Sequence, residues 1–190
     1  MNTDVASFLA GQFLIAMPGM GDQRFERSLI FVCAHSAEGA MGLIVNKPAP
    51  DLRFSDLLEQ LSIPAAAELP ETRVHFGGPV EHGRGFVLHS GEYHVEGSSL
   101  RVNDDFAMTA TVEILRDIAR GRGPARALLA LGYSGWGPGQ LEGEIQANGW
   151  LTAPADADLV FGPGDALKWS DALRSIAIDP RLLSAEGGRA

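Results

Sequence analysis

Two apolar runs set four residues apart constrain this chain more than any other feature. Ser28-Leu-Ile-Phe-Val-Cys-Ala-His35 and Ala40-Met-Gly-Leu-Ile-Val-Asn46 flank Ser36-Ala-Glu-Gly39, a spacing that predicts an antiparallel β-hairpin. In the first run Leu29, Phe31, Cys33 and His35 are expected on one face, with Ile30, Val32 and Ala34 on the other. A strand apolar on both faces needs cover on both, so the hairpin is expected at the centre of a sheet or within a closed one.

A second stretch organises the other half. Ala127-Leu-Leu-Ala-Leu131 reads as a strand, and Gly132-Tyr-Ser-Gly-Trp136 after it reads as a turn, because glycine reaches positive φ without steric cost. A short helix is expected next, with Gly137 as N-cap and Pro138 in its first turn. Tyr133, Ser134, Trp136 and Gln140 would then meet at an exposed junction beside the free N–H groups of a helix start.

The remaining elements follow from period and punctuation. Gln12–Met17 reads as a strand stopped by Pro18-Gly19, and Met20–Arg27 as a polar loop. Phe54, Leu57, Leu58 and Leu61 fall at i, i+3, i+4 and i+7, which predicts an amphipathic helix. Arg73–Phe76 and Gly85–His89 read as strands joined through Gly77–Gly83, and Tyr93–Val102 as a further hairpin. Asp105 or Thr109 is expected to cap a helix using Val112, Leu115, Ile118 and Ala119. Trp150–Ala153 and Asp158–Phe161 read as late strands, and Asp165–Ile176 as the last helix. Without repeats or linkers, the chain is expected to form a single domain over residues 1–183, with a flexible polar tail over 184–190.

Charge and cysteine usage narrow the function. The formal net charge is −9 over 190 residues, so direct nucleic-acid binding is not expected. The densest basic group, Arg116, Arg120, Arg122 and Arg126, clusters at a helix C-terminus, where cations offset the dipole. One cysteine allows no internal disulfide and fits a reducing compartment. The apolar run Phe8–Pro18 follows Asp4, lacks a basic leader and is broken by Gln12, so neither a signal peptide nor a membrane span is expected. A cytoplasmic protein is the expectation.

Several motifs invite chemistry. Ser134 between strand and helix has the placement of a hydrolase nucleophile, with Gly77-Gly78 as an oxyanion loop, but Trp136 stands where that motif needs glycine and every histidine precedes residue 95. Gly137-Pro-Gly139 could cradle a phosphate, yet Glu142 and Glu144 oppose an anion and no Walker lysine is present. Those two glutamates point to opposite sides of a helix and cannot share a proton or a metal, whereas Gln140, Glu144 and Asn148 share a face. Histidines 75, 82, 89 and 94 lack metal-ligand spacing, so no metal or other cofactor is expected. Cys33 reads as a buried hydrophobe, with a redox role open only to an exposed, acidified thiol.

Taken together, Phe13-Leu-Ile-Ala-Met-Pro18, Cys33-Ala-His35 with Gly39-Ala-Met-Gly-Leu-Ile-Val-Asn-Lys-Pro48, Gly77-Gly-Pro79 with Arg84-Gly-Phe-Val-Leu-His89, and Gly132–Trp136 running on through Gly139-Gln-Leu-Glu142 to Trp150–Asp156 resemble the YqgE/AlgH family of bacterial proteins. The resemblance covers about residues 8 to 180. It implies an α+β domain with a mixed, largely antiparallel, curled or barrel-like sheet flanked by helices, and it brings a label of transcriptional regulator that nothing in the chain's own residues supports. Cys33-Ala34-His35 departs from the family's usual Cys-Glu-His.

The expectation is a regulatory domain or one that binds a protein partner or small ligand, with no membrane association. Its surface would be built from three converging segments: the hairpin end with His35 and Asn46, the Gly77-Gly78-Pro79 turn, and the junction carrying Tyr133, Ser134, Trp136, Gly139, Gln140, Glu144 and Trp150. Cys33 is the redox candidate. The alternative is a small hydrolase-like or nucleotide-dependent enzyme with its site at Gly132–Trp150.

Overall fold

The apolar runs form the expected hairpin in the computed structural model, which describes residues 8–66 and 72–183. The proposed tail, 184–190, lies outside the described residues. The hairpin strands are β2 (Leu29–Ser36) and β3 (Gly39–Ile44), preceded by β1 (Gln12–Ala16) and followed by α1 (Phe54–Gln60), β4 (Val74–Phe76) and β5 (Val80–Ser90). Then come β6 (Ser99–Arg101), β7 (Phe106–Thr109), α2 (Val112–Ala119), β8 (Ala127–Trp136), α3 (Gln140–Gln146), β9 (Trp150–Pro154), α4 (Ala157–Phe161) and α5 (Asp165–Ser175). Among the described residues no helix is long and apolar enough to cross a membrane.

One sheet runs in the order β6-β7-β5-β8-β3-β2-β1-β9, with β4 added to β8. Among the described residues only the β4–β8 pairing is parallel. The sheet curls strongly. Phe31 of β2 and Phe106 of β7, four strand positions apart, bring their ring centroids to 4.6 Å, whereas a flat sheet would hold them about 19 Å apart. The result is a half-barrel, as the α+β expectation anticipates.

The curl explains why β2 is apolar on both sides. Leu29, Phe31 and Cys33 point into the barrel, where Trp169 and Leu173 of α5 close the core. Ile30 and Val32 point outward and are covered, with Trp136 and Trp150, by Leu141 of α3. Further round the outside, Val87 and Leu129 lie beneath Phe54 and Leu58 of α1 and Ile114 and Ile118 of α2. Each of these fully buried side chains contributes roughly 2 kcal/mol, so the cover on both faces is what stabilises so apolar a strand.

Five local expectations are corrected. His35 does not share a face with Cys33, because the register with β3 shifts between Val32 and Ala34. That bulge inserts a residue and turns His35 outward toward α3. Phe106–Thr109 is a strand, buried at every position and paired on both edges, and the helix is capped by Thr111 instead. Tyr93–Val102 makes no hairpin of its own; only Ser99–Arg101 is extended, against β7.

The Gly132 turn is also absent. Gly132 has φ 74, but β8 runs through it to Trp136, because Ser134, Gly135 and Trp136 pair with β3. The turn falls later, and Gly139, at φ 72, caps α3. Finally, Asp158–Phe161 is helical: the Asp156 side chain accepts from the Asp158 N–H and starts α4, which turns Val160 into the core.

Candidate functional site

The three segments expected to converge do meet, along the second half of β8. Ala40 of the hairpin pairs with Trp136. Gly77 and Gly78 pass so close to the other end that a Cβ on Gly77 would lie 2.3 Å from the Gly132 oxygen, and one on Gly78 would lie 2.1 Å from the Tyr133 carbonyl carbon. Only glycine allows two backbones this near. The seam where β3 and β4 meet end to end along β8 therefore depends on these two positions.

Most of the polar residues named from sequence spend their hydrogen bonds on this seam and its cover. Ser134 is fully buried and donates to the Gly77 oxygen at 3.3 Å. Asn46 accepts from the Leu29 N–H at 2.9 Å and donates to the Arg27 oxygen at 2.8 Å. The Glu144 carboxylate accepts from both indoles, Trp136 Nε1 at 2.8 Å and Trp150 Nε1 at 2.9 Å, and from Gln140 Nε2 at 3.2 Å. The Gly137 N–H at the start of α3 donates to Gln140 Oε1 at 3.0 Å, so this turn closes on itself.

His35 is tied at both nitrogens. Nδ1 accepts from the Leu9 N–H at 3.0 Å, which leaves the proton on Nε2 to be donated to Glu142. Glu142 is held below the ordinary carboxylate value, first by its own backbone N–H and then by His35. Cys33 is buried, and burial pushes its thiol up to about 12. A thiol in that state is not a thiolate nucleophile at neutral pH.

What remains open is a groove of about 790 Å³ at the mouth of the half-barrel. Its floor is Met41, Phe86, Met108, Ala110 and Tyr133, and its rim carries Glu38, Glu81 and Arg84. The Tyr133 ring packs edge-on against Phe86 at 5.7 Å, and the Arg84 guanidinium lies 5.1 Å from the Phe86 centroid. Of the residues named from sequence, His35, Tyr133 and Trp136 line this groove. Glu144 and Trp150 instead line a cleft of about 640 Å³ with Met17, Met20 and Phe25. Gly77, Gly78, Pro79 and Asn46 line neither.

Two groups escape a sequence reading. The groove floor is one: Met41, Phe86 and Met108 come from three strands, and only the curl unites them. The other is a buried ionic cluster. Asp165 accepts from His75 Nε2 at 3.1 Å, from Arg73, and from Lys168 Nζ at 2.8 Å. Burial alone would raise the Asp165 pKa, but His75 and Lys168 bring it below the ordinary value; burial lowers that of Lys168. Among the described residues, no three His, Cys, Asp or Glu side chains group as metal ligands would.

Fold and site thus define an acidic α+β domain whose half-barrel ends in an open, apolar-floored groove, with its conspicuous polar residues committed to internal bonds. The chain belongs to the AlgH-like family (DUF179), whose sequence profile matches residues 13–181. It is 64% identical over 186 residues to a UPF0301 protein of Ruegeria pomeroyi, covering 96% of this chain and 99% of that one. A UPF0301 protein of Cereibacter sphaeroides is 59% identical over 182 residues, again covering 96% and 99%. The solution structure of the AlgH protein from Pseudomonas aeruginosa superimposes with a TM-score of 0.76 at 38% identity over 100% of both chains. A crystal structure from Corynebacterium diphtheriae shares the fold, with a TM-score of 0.71 at 23% identity over 92% and 90% of the two chains.

Proposed function

We propose that the protein is a binding domain that works through the groove at the mouth of the half-barrel, receiving the apolar part of a small ligand or of a partner protein. One observation carries the reading. Four strands build an apolar floor open to solvent, while Ser134, Cys33 and His35, three side chains nearby suited to covalent or acid–base chemistry, are buried or already bonded at their reactive atoms. Concave apolar surface with a few charges at its rim is the usual composition of a binding site. A regulatory role fits this reading if it runs through the bound partner, since a chain of net charge −9 lacks the basic surface that DNA requires.

Methionine methyls test it. The chain has five methionines; Met41 and Met108 line the groove, and Met17 and Met20 line the separate cleft that holds Glu144 and Trp150. In protein carrying ¹³C-methyl methionine, apolar fragments are expected to shift the Met41 and Met108 resonances and leave those of Met17 and Met20 in place. Shifts confined to Met17 and Met20 would overturn the proposal. So would a turnover that disappears in Ser134→Ala or His35→Gln, which would favour an enzyme at the β8 junction.

A further inference from the structure

The groove does not end at its own rim. Arg84 and Ala110 line it on one side and, on the other, line a second cleft of about 340 Å³ between α1 and α2. That cleft is mainly aliphatic: Leu57 of α1 and Leu61 at its C-terminal cap face Val112 and Leu115 from α2, above Val87 and Leu129. Three large apolar side chains are left exposed around the two clefts, Leu61 at 46%, Val112 at 40% and Val80 at 36%. What separates the clefts is the start of β5, where the register with β8 shifts between Val80 and Gly85 and the exposed residues Glu81–Arg84 stand out from the sheet.

Resting on the binding reading above, we infer that groove and cleft form one surface for a polypeptide segment of a partner protein, apolar along one side and flanked by lysine or arginine. Two observations choose this occupant. The first is extent: a small-molecule site encloses its ligand in about 300–1,000 Å³, whereas this surface is open and continues past a 790 Å³ groove into a second apolar cleft. Methionines at the floor suit it further, since unbranched thioether side chains adapt to varied apolar partners.

The second observation is charge. The two clefts are lined by Glu38 and Glu81 against a single guanidinium, Arg84. Arg84 already faces Glu81 at 3.4 Å and leans on the Phe86 ring. Among the described residues Glu38 has no cationic partner at the tip of the β2–β3 hairpin, on a molecule of net charge −9. Complementary charge at a rim selects the partner and speeds encounter, while the apolar floor supplies the affinity.

The experiment compares a Leu/Lys amphipathic peptide with its Leu/Glu counterpart of equal length and pattern, at physiological ionic strength, using the methionine methyls and the amides of Val112 and Leu115 as reporters. The Lys peptide is expected to shift Met41, Met108 and both amides, and to bind at least about tenfold more tightly than the Glu peptide. The double substitution Glu38→Lys with Glu81→Lys should reverse that preference. Asp51→Lys with Glu96→Lys, an equal change of charge at exposed positions elsewhere, should preserve it. Equal affinity for both peptides, or the same loss from both double variants, overturns the inference. If neither peptide moves Met41 and Met108 while apolar fragments do, the partner class is wrong and the binding groove stands. If neither peptides nor fragments move them, both readings fall.

Discussion

Among the described residues Lys168 is the most deeply buried charge. Its ammonium is buried and has three protons to place, and three acceptors receive them: the Val45 oxygen at 2.9 Å, the Val160 oxygen at 2.7 Å and Asp165 Oδ1 at 2.8 Å. The side chain thereby ties α5 to the end of β3 and to α4. Replacing it with an isosteric apolar group removes one charge but leaves two buried carbonyls and part of a carboxylate without donors. Lys168→Met is therefore expected to lower stability by about 3–5 kcal/mol, the range for removing one member of a buried ion pair. Urea unfolding followed by tryptophan fluorescence measures it. A loss below about 1 kcal/mol would mean that the cluster relaxes or admits water. None of this was legible in the chain, because Asp165 and His75 are 90 positions apart and neither Arg73 nor Lys168 stands in a motif.

Among the elements, α3 has little claim to exist alone. Seven residues do not sustain a helix in water, and only Leu141 of α3 is buried. Polar ties supply the rest, Glu144 to the indoles of Trp136 and Trp150 and Glu142 to His35. Glu144→Ala leaves two indole N–H groups without an acceptor, at roughly 1–3 kcal/mol each where they stay dry. Amide exchange should accelerate across Leu141–Ile145 while the amides of β2 keep their protection; equal acceleration in both would show that α3 has no separate stability.

Elements with an unambiguous period were readable: the hairpin, α1, β9 and α5 stand where alternation or helical spacing puts them. Those that failed lacked a period. Phe106–Thr109 is too short and too uniformly buried to show alternation. Gly132 looks like a stop yet sits inside a strand, where its positive φ serves a close approach by Gly78. The bulge at Cys33 contains no glycine to announce it, so the outward turn of His35 could not be foreseen. Of the groove, Tyr133, Trp136 and His35 were nameable as residues flanking glycine-rich turns; Met41, Phe86 and Met108 looked like ordinary strand residues.

For the molecule as a whole, the buried cluster sets a dependence on pH. Asp165 has a lowered pKa in the folded state, so it contributes stability that is fully present above the ordinary carboxylate value of about 4 and is lost as pH falls through the lower folded value. Lys168 is also lowered. The unfolded chain then binds its proton more tightly than the folded one, so the lysine's contribution to stability should rise as pH climbs toward about 10.4, the free lysine value. Unfolding midpoints should fall on the acid side; on the alkaline side the unfolded Cys33 thiol ionises above about 8.5 while the folded one, raised to about 12, keeps its proton, which opposes any climb. The Lys168 contribution is therefore read as a difference: the stability of the wild type relative to Lys168→Met should rise as pH climbs toward about 10.4, and a difference that stays flat with pH would assign the alkaline behaviour to other groups.

The pairing of β1 with β9 joins Gln12 to Pro154 and Ala16 to Trp150, the first strand to the last. On a ribosome, β1 can meet β2 almost at once, but its other edge waits until residues 150–154 have emerged. For most of synthesis the nascent chain thus carries an apolar hairpin with an unpartnered border, the kind of surface on which chains join one another. Fragments ending before Trp150 should accumulate as insoluble material, and closure of this pair should be a late and slow event in refolding, since contacts so distant in sequence form last.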